Sequence, residues 1–138
     1  MKTQQINFWG PRSALYWLTA IVAVGIIILG IRFMLAPISG AEGFGIPLAA
    51  TKEAMAYGQI KGIRDIFSGM VVLAFLIQRQ PRATAFVFGA AVIIPVSDCF
   101  TVLAVNGTHD VTHLLIHSLT SVYMIITTIL LFKANPKD

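Results

Sequence analysis

Cysteine is nearly missing from this chain: the single one, Cys99, lies in an apolar stretch, which excludes both a disulfide framework and a thiolate metal site. A glycine-rich phosphate loop, a nucleophile elbow and a dinucleotide fingerprint are also lacking. Gly43-Phe44-Gly45 has no strand–turn–helix setting around it, so no cofactor is expected. The basic residues form no run with interleaved aromatics, and a net charge of +4 with a pI near 9.6 therefore does not mark a nucleic-acid binder. The two halves share no pattern of Gly, Pro or charge, which argues against an inverted-repeat transporter.

What is abundant is apolar sequence. Of 138 residues 57% are hydrophobic, and the mean hydropathy is +0.80, which places the chain among integral membrane proteins of one domain, residues 1–138. A spanning helix needs about 20 mostly apolar residues. The candidates are Ala14 to Ala36, Ile60 to Ile77, Ala83 to Val105 and His113 to Phe132, an all-α transmembrane four-helix bundle with both termini on one side. The first stretch exceeds the ~7–15 apolar residues of a secretory signal, and Pro37 disfavours cleavage after Ala36. The side holding the termini carries Lys2, Arg12, Arg79, Arg82, Lys133 and Lys137, so the positive-inside rule makes both termini cytoplasmic, in a multi-pass protein of the cell (inner) membrane. Phe8, Trp9, Tyr16 and Trp17 then belong at the cytoplasmic interface. The connection from Pro37 to Gly58 is long enough to form a lid, with Ala49 to Tyr57 either a short interfacial helix or an extension of the second span. Gly58-x-x-x-Gly62 and Ala85-x-x-x-Gly89 supply small residues for close helix contacts, and Thr108, Asp110 or Thr112 is placed to cap the last helix.

The ionisable residues inside these spans collect near one end. Arg32 lies late in the first, Lys61, Arg64 and Asp65 early in the second, Asp98 late in the third, and His113 and His117 early in the fourth; with alternating spans all fall in the outer leaflet. Charge in hydrocarbon is costly and by default faces a bundle interior or a wet cavity. Lys61, Arg64, Asp65 and Ser68, at spacings of three and four, form one polar stripe, in which Lys61 is expected to snorkel to headgroups while Arg64 and Asp65 lie a turn deeper. Asp98 follows Pro95 by one turn and has Ser97 and Thr101 beside it, so a kink next to a carboxylate points to a polar pocket; the alternative is a structural Asp98–Arg32 or Asp98–Arg64 pair. His109, His113 and His117 step by four, with Thr120, Ser121, Met124 and Thr128 over much the same arc. Two such histidines with Asp98 or Asp65 are compatible with a metal, but the glutamate of H-E-x-x-H is missing, and a hydrogen-bonded or proton-transferring pair is the preferred reading, with no metal assigned. His117 is the favoured acid/base, with Asp98, His113 and Asp65 as further catalytic candidates and Arg32, Arg64, Lys61, Ser68, Thr101 and Ser121 as candidate binding groups.

The run Phe44-Gly-Ile-Pro47, the sequence Lys61-Gly-Ile-Arg64-Asp65, Pro95-x-x-Asp98 and a histidine in the last span resemble a group of small four-helix membrane proteins classified only as a domain of unknown function. The resemblance runs from about Ile31 to His117 and implies the topology and the interest of Arg64, Asp65, Asp98 and a histidine, but no reaction. Three functions compete. An intramembrane enzyme would use an Asp and a His for isomerisation, cyclisation or hydration of a lipophilic small molecule, with Arg32 or Arg64 on an anionic group, in an apolar pocket of about 300–1,000 Å³. A proton-linked carrier, alone or as a homo-oligomer, needs a polar route to both faces, whereas the cytoplasmic halves here are almost wholly apolar. A non-catalytic membrane subunit needs no cavity. Membrane lipid is the expected surrounding in all three.

Overall fold

A computed structural model of the protein describes residues 9–134; Lys2, Phe8 and Lys137, used above for orientation, lie outside the described residues. Within them the chain is all-α, with helices α1 (Ala14–Leu35), α2 (Pro37–Phe44), α3 (Lys52–Ile77), α4 (Pro81–Ala90), α5 (Ile93–Asn106) and α6 (Val111–Ala134), and a 3₁₀ turn at Gly107–His109 before α6.

Three segments are long and apolar enough to cross a membrane: Ala14–Leu35, Pro81–His109 and Val111–Ala134. Only 17% of the most apolar window of Pro81–His109 is buried within the protein. Ile21, Ile28, Leu29, Ile93, Phe100, Leu115, Leu119 and Val122 lie on the exposed faces of α1, α5 and α6. So much contiguous apolar surface is unfavourable in water and natural in lipid, and the chain is accordingly a membrane protein. α3 has the length, 26 residues, but Lys61, Arg64 and Asp65 interrupt its apolar half.

Three stretches add detail to the simple sequence pattern. Pro37 to Gly45 is not an open loop: Pro37 occupies the first turn of α2, where its missing N–H is no loss, and Gly45, at φ 103°, ends the helix in the left-handed region while its N–H and that of Ile46 bond back to the Ala41 carbonyl. Ala49 to Tyr57 divides between a cap and α3 itself, which starts at Lys52 with the Thr51 hydroxyl accepting from the Ala54 N–H. The third apolar stretch is not one uninterrupted helix. Pro95 cannot donate to the Ala91 carbonyl and its ring crowds it. The chain tightens there, Val92 and Ile94 bonding three residues back to Gly89 and Ala91, and α5 restarts beyond the break.

α1 and α3 form the closest helix pair. A Cβ on Gly62 would lie 2.6 Å from the Gly30 carbonyl oxygen, and one on Gly69 2.5 Å from that of Ala23, so the two backbones touch along a seam of small residues. Gly89 leaves room for side chains between α4 and α6, where a Cβ on it would meet Thr128 Cγ2 at 2.8 Å. Towards the end where Arg79 lies beside Gly10, the core is tightly filled by Trp9, Leu76, Ala85, Phe88 and Leu131. The buried Thr19 and Thr84 hydroxyls there bond to carbonyls four residues back and need no partner on another helix. Tyr123 donates its hydroxyl to the Leu18 carbonyl at 2.8 Å and ties α6 to α1.

Candidate functional site

At the other end the helices line a partly open cavity of about 340 Å³. Its apolar floor is made by Ala23, Val72, Phe88 and Met124, directly above the filled core. Its polar groups are Arg32 from α1, Lys61, Asp65 and Ser68 from α3, Asp98 from α5, and His117 and Thr120 from α6; α2 covers it with Gly40, Gly43 and Phe44.

Each polar group is held by a specific partner, with one exception. The Lys61 ammonium donates to Asp65 Oδ2 at 2.6 Å and lies 4.6 Å from the Phe33 ring centre and 4.9 Å from that of Phe44, a cation between two aromatic faces. Arg32 donates from Nη2 to both the Ser39 carbonyl and the Ser39 hydroxyl at 2.9 Å, with its guanidinium against Gly43. His117 Nε2 lies 3.0 Å from the Phe44 carbonyl oxygen. A carbonyl only accepts, so Nε2 carries the hydrogen, and in the neutral ring Nδ1 is left as the basic nitrogen. The Phe44 ring rests on the imidazole at a centroid distance of 4.7 Å. Ser68 and Thr120 donate to the carbonyls of Arg64 and Ile116. Asp98 is the exception: among the described residues it forms no ion pair, with Arg32, Arg64 or any other residue, although Lys61, His117 and Asp65 stand near enough to act on it electrostatically.

Several residues singled out from the sequence lie elsewhere. Lys61, expected to snorkel, lines the cavity, and Arg64 is the exposed member of the stripe. The line that faces the cavity is Lys61, Asp65, Ser68 and Val72, and Arg64 sits about 70° round the helix from its centre. Thr101 is exposed and bonds to the Ser97 carbonyl, while Ser121 is buried behind the wall and bonds to that of His117. His113 is not in the cavity either. Its Nδ1 donates to Asp110 Oδ1 at 2.7 Å, and Asp110 caps α6 by accepting from the His113 N–H. Asn106 completes this outer cluster by donating to both Asp110 and the Gly45 carbonyl at 2.6 Å. The imidazole hydrogen bond and that of Asn106 outweigh partial burial and hold the Asp110 carboxyl below the usual carboxylate range. His113 and His117 thus turn to different partners. Among the described residues no three His, Cys, Asp or Glu side chains are placed to hold a metal ion.

The spacing of Lys61, Asp65, Pro95, Asp98 and His117 around one chamber lies inside a recognised sequence family, whose pattern matches residues 23–131. The chain belongs to the domain of unknown function DUF4267. No curated protein and no solved structure matches it. The DUF4267 match takes in every cavity-lining residue except Val22. Phe33, Phe44 and Asn106, which build the aromatic seat and the outer tie of this DUF4267 chain, were not among the candidates drawn from the sequence. Nothing in the spacing of a lone Phe announces that its ring will meet a lysine from another helix.

Proposed function

We propose that this DUF4267 protein is a multi-pass protein of the cell membrane in which α3 completes a four-helix bundle, with both termini cytoplasmic and the cavity toward the outer leaflet. In that cavity it performs acid/base chemistry, of isomerase, cyclase or hydratase type, on a lipophilic small molecule. The observation that carries this reading is a partly open cavity of about 340 Å³ whose wall holds both an unpaired carboxyl group, Asp98, and an imidazole, His117, oriented by a backbone carbonyl. Ligand pockets have such volumes, mostly apolar walls and few polar groups.

In the proposed chemistry His117 accepts a proton at Nδ1 while Nε2–H stays on Phe44. Asp98 exchanges the second proton on the substrate, and transfer between the two resets the site. A positioned general base of this kind contributes about 10²–10⁴-fold. Leu29 and Ile116 line the cavity and are themselves half exposed, which supports access from lipid between α1 and α6. The packing of the fully buried Leu76, Ala85 and Leu131 beneath the floor favours a pocket closed on that side over a carrier, which needs a route to both faces. The cavity itself argues against a purely structural subunit.

The test is proton exchange. Purified protein in nanodiscs is incubated in D₂O with a lipid-phase metabolite extract, and mass spectrometry seeks species that gain deuterium or change retention only when protein is present. Such a species is expected, and its conversion should fall by about 10²–10⁴-fold in folded His117→Ala and be abolished in Asp98→Asn. No protein-dependent species, or conversion by both variants equal to that of the wild type, would refute the reading.

A further inference from the structure

The same cavity, taken as a ligand site as proposed above, carries information about the ligand's polar end. Its charged donors each have a partner: Lys61 has Asp65 and the faces of Phe33 and Phe44, and Arg32, exposed at the rim, turns Nη2 to Ser39. The imidazole N–H of His117 is taken by the Phe44 carbonyl, and the hydroxyls of Ser68 and Thr120 are turned back onto their own helices. What remains open is acceptor capacity, chiefly the Asp98 carboxylate, which has no hydrogen-bond or ion-pair partner among the described residues. Lys61 is matched by Asp65; of the two remaining charged side chains in the lining, Arg32 is exposed and turned to Ser39, while Asp98, half-buried, stands without a partner over a floor of Val72, Phe88 and Met124.

From this juxtaposition we infer that the cavity binds a lipophilic amine, its ammonium on Asp98 and its apolar body on that floor. This replaces the anionic group that Arg32 or Arg64 would have suited. Arg32 is exposed and holds Ser39 through Nη2, and Arg64 lies outside the lining. A bare metal cation is a poor occupant of the same place, because hard cations require several oxygen ligands and no such group of side chains is assembled here. A charge-assisted hydrogen bond to an otherwise unpaired carboxylate in a mostly apolar chamber is strong and selective.

Three probes with one apolar body isolate the head group: 1-adamantanamine, 1-adamantanol and 1-adamantanecarboxylic acid. Binding of each to the full chain in nanodiscs near pH 7 is measured by equilibrium dialysis, with protein-free nanodiscs subtracted. At this pH the amine is protonated and the acid ionised. The amine is expected to bind at least tenfold more tightly than the alcohol, and the acid most weakly. Asp98→Asn should bring amine and alcohol within about twofold of one another. In the wild-type protein the amine should also protect Asp98 from modification by dicyclohexylcarbodiimide, read by peptide mass spectrometry, which decides the matter if the variant does not fold. An acid that binds as well as the amine, an amine no better than the alcohol, or Asp98 labelled equally with and without the amine would each overturn the assignment. The outcomes separate from those of the proton-exchange test. Amine binding without exchange sinks the chemistry and leaves the ligand class, whereas exchange with a preference for the acid does the reverse.

Discussion

Replacing Gly30 with alanine tests whether the α1–α3 seam sets the geometry of the chamber. A Cβ at Gly30 would lie 2.6 Å from the Gly62 carbonyl oxygen and 2.8 Å from both the Ile66 nitrogen and Ile66 Cγ1, where ordinary contact begins at 3.4 Å. Two of the three obstacles are backbone atoms, so no rotamer change relieves them, and α1 must move away from α3 by about 0.8 Å. Overpacking costs ~1–3 kcal/mol, with backbone obstacles toward the upper end, and the alanine returns about 0.5–1 kcal/mol of helix propensity, leaving a net loss of about 2 kcal/mol. Gly25 is the matched control. It lies on the same helix, and a Cβ there meets nothing within 4 Å, so Gly25→Ala should cost nothing and gain up to about 1 kcal/mol. Unfolding in mixed dodecylmaltoside–SDS micelles, followed by far-ultraviolet circular dichroism, gives both values. The displacement also parts Arg32 and Phe33 on α1 from Lys61 and Asp65 on α3, so Gly30→Ala should weaken adamantanamine binding as well. A Gly30→Ala protein within about 0.5 kcal/mol of wild type, or a Gly25→Ala loss of the same size as that of Gly30→Ala, would refute the packing argument.

Two further outcomes follow from the outer and inner ties. Because the Asp110 carboxyl is held below the usual range in the folded protein, its contribution to stability is complete above the ordinary carboxylate pKa of about 3.9 and is lost as pH falls through the depressed folded-state value; Asp110→Asn should flatten that acid limb in thermal unfolding scans, and an unchanged limb would contradict it. Tyr123→Phe removes only the hydroxyl that reaches the Leu18 carbonyl, and the expected loss in the same micelle assay is about 0.6 kcal/mol and at most about 1.7 kcal/mol, the range for interhelical hydrogen bonds in membranes; a larger loss would mean the hydroxyl does more than join α6 to α1.

Helical, membrane-compatible structure was legible because long apolar runs have few other solutions, and the family was legible from short motifs around Lys61, Pro95 and Asp98. The order of Lys61 and Arg64 was not. Both are long cations on one helix, and which of them turns inward depends on where Gly62 and Gly69 press α3 against α1, a contact with a different helix that spacing along α3 does not encode. Pro95 announced a disturbance, but the break falls at Ala91 and Val92, one turn earlier, because the clash and the missing donor both act on the preceding carbonyl. α2 was hidden for another reason. Eight residues with two glycines have weak intrinsic helicity, and the segment is held by Arg32 on Ser39 and by its caps.

The least legible parts of the site are its backbone acceptors, and they organise it. The last carbonyls of a helix have no partner within it. At the end of α2 those of Phe44 and Gly45 accept from His117 on α6 and from Asn106 at the end of α5. Every residue has a carbonyl, so no side-chain pattern could mark these two. Yet the Phe44 carbonyl fixes which nitrogen of His117 carries hydrogen, and the same residue's ring faces Lys61. One short helix thereby sets the tautomer of His117 and helps to seat the cation that pairs with Asp65, while Asp98 has no such partner among the described residues. The selectivity inferred for the chamber thus depends on what α2 occupies as well as on the Asp98 carboxyl that α5 brings to it.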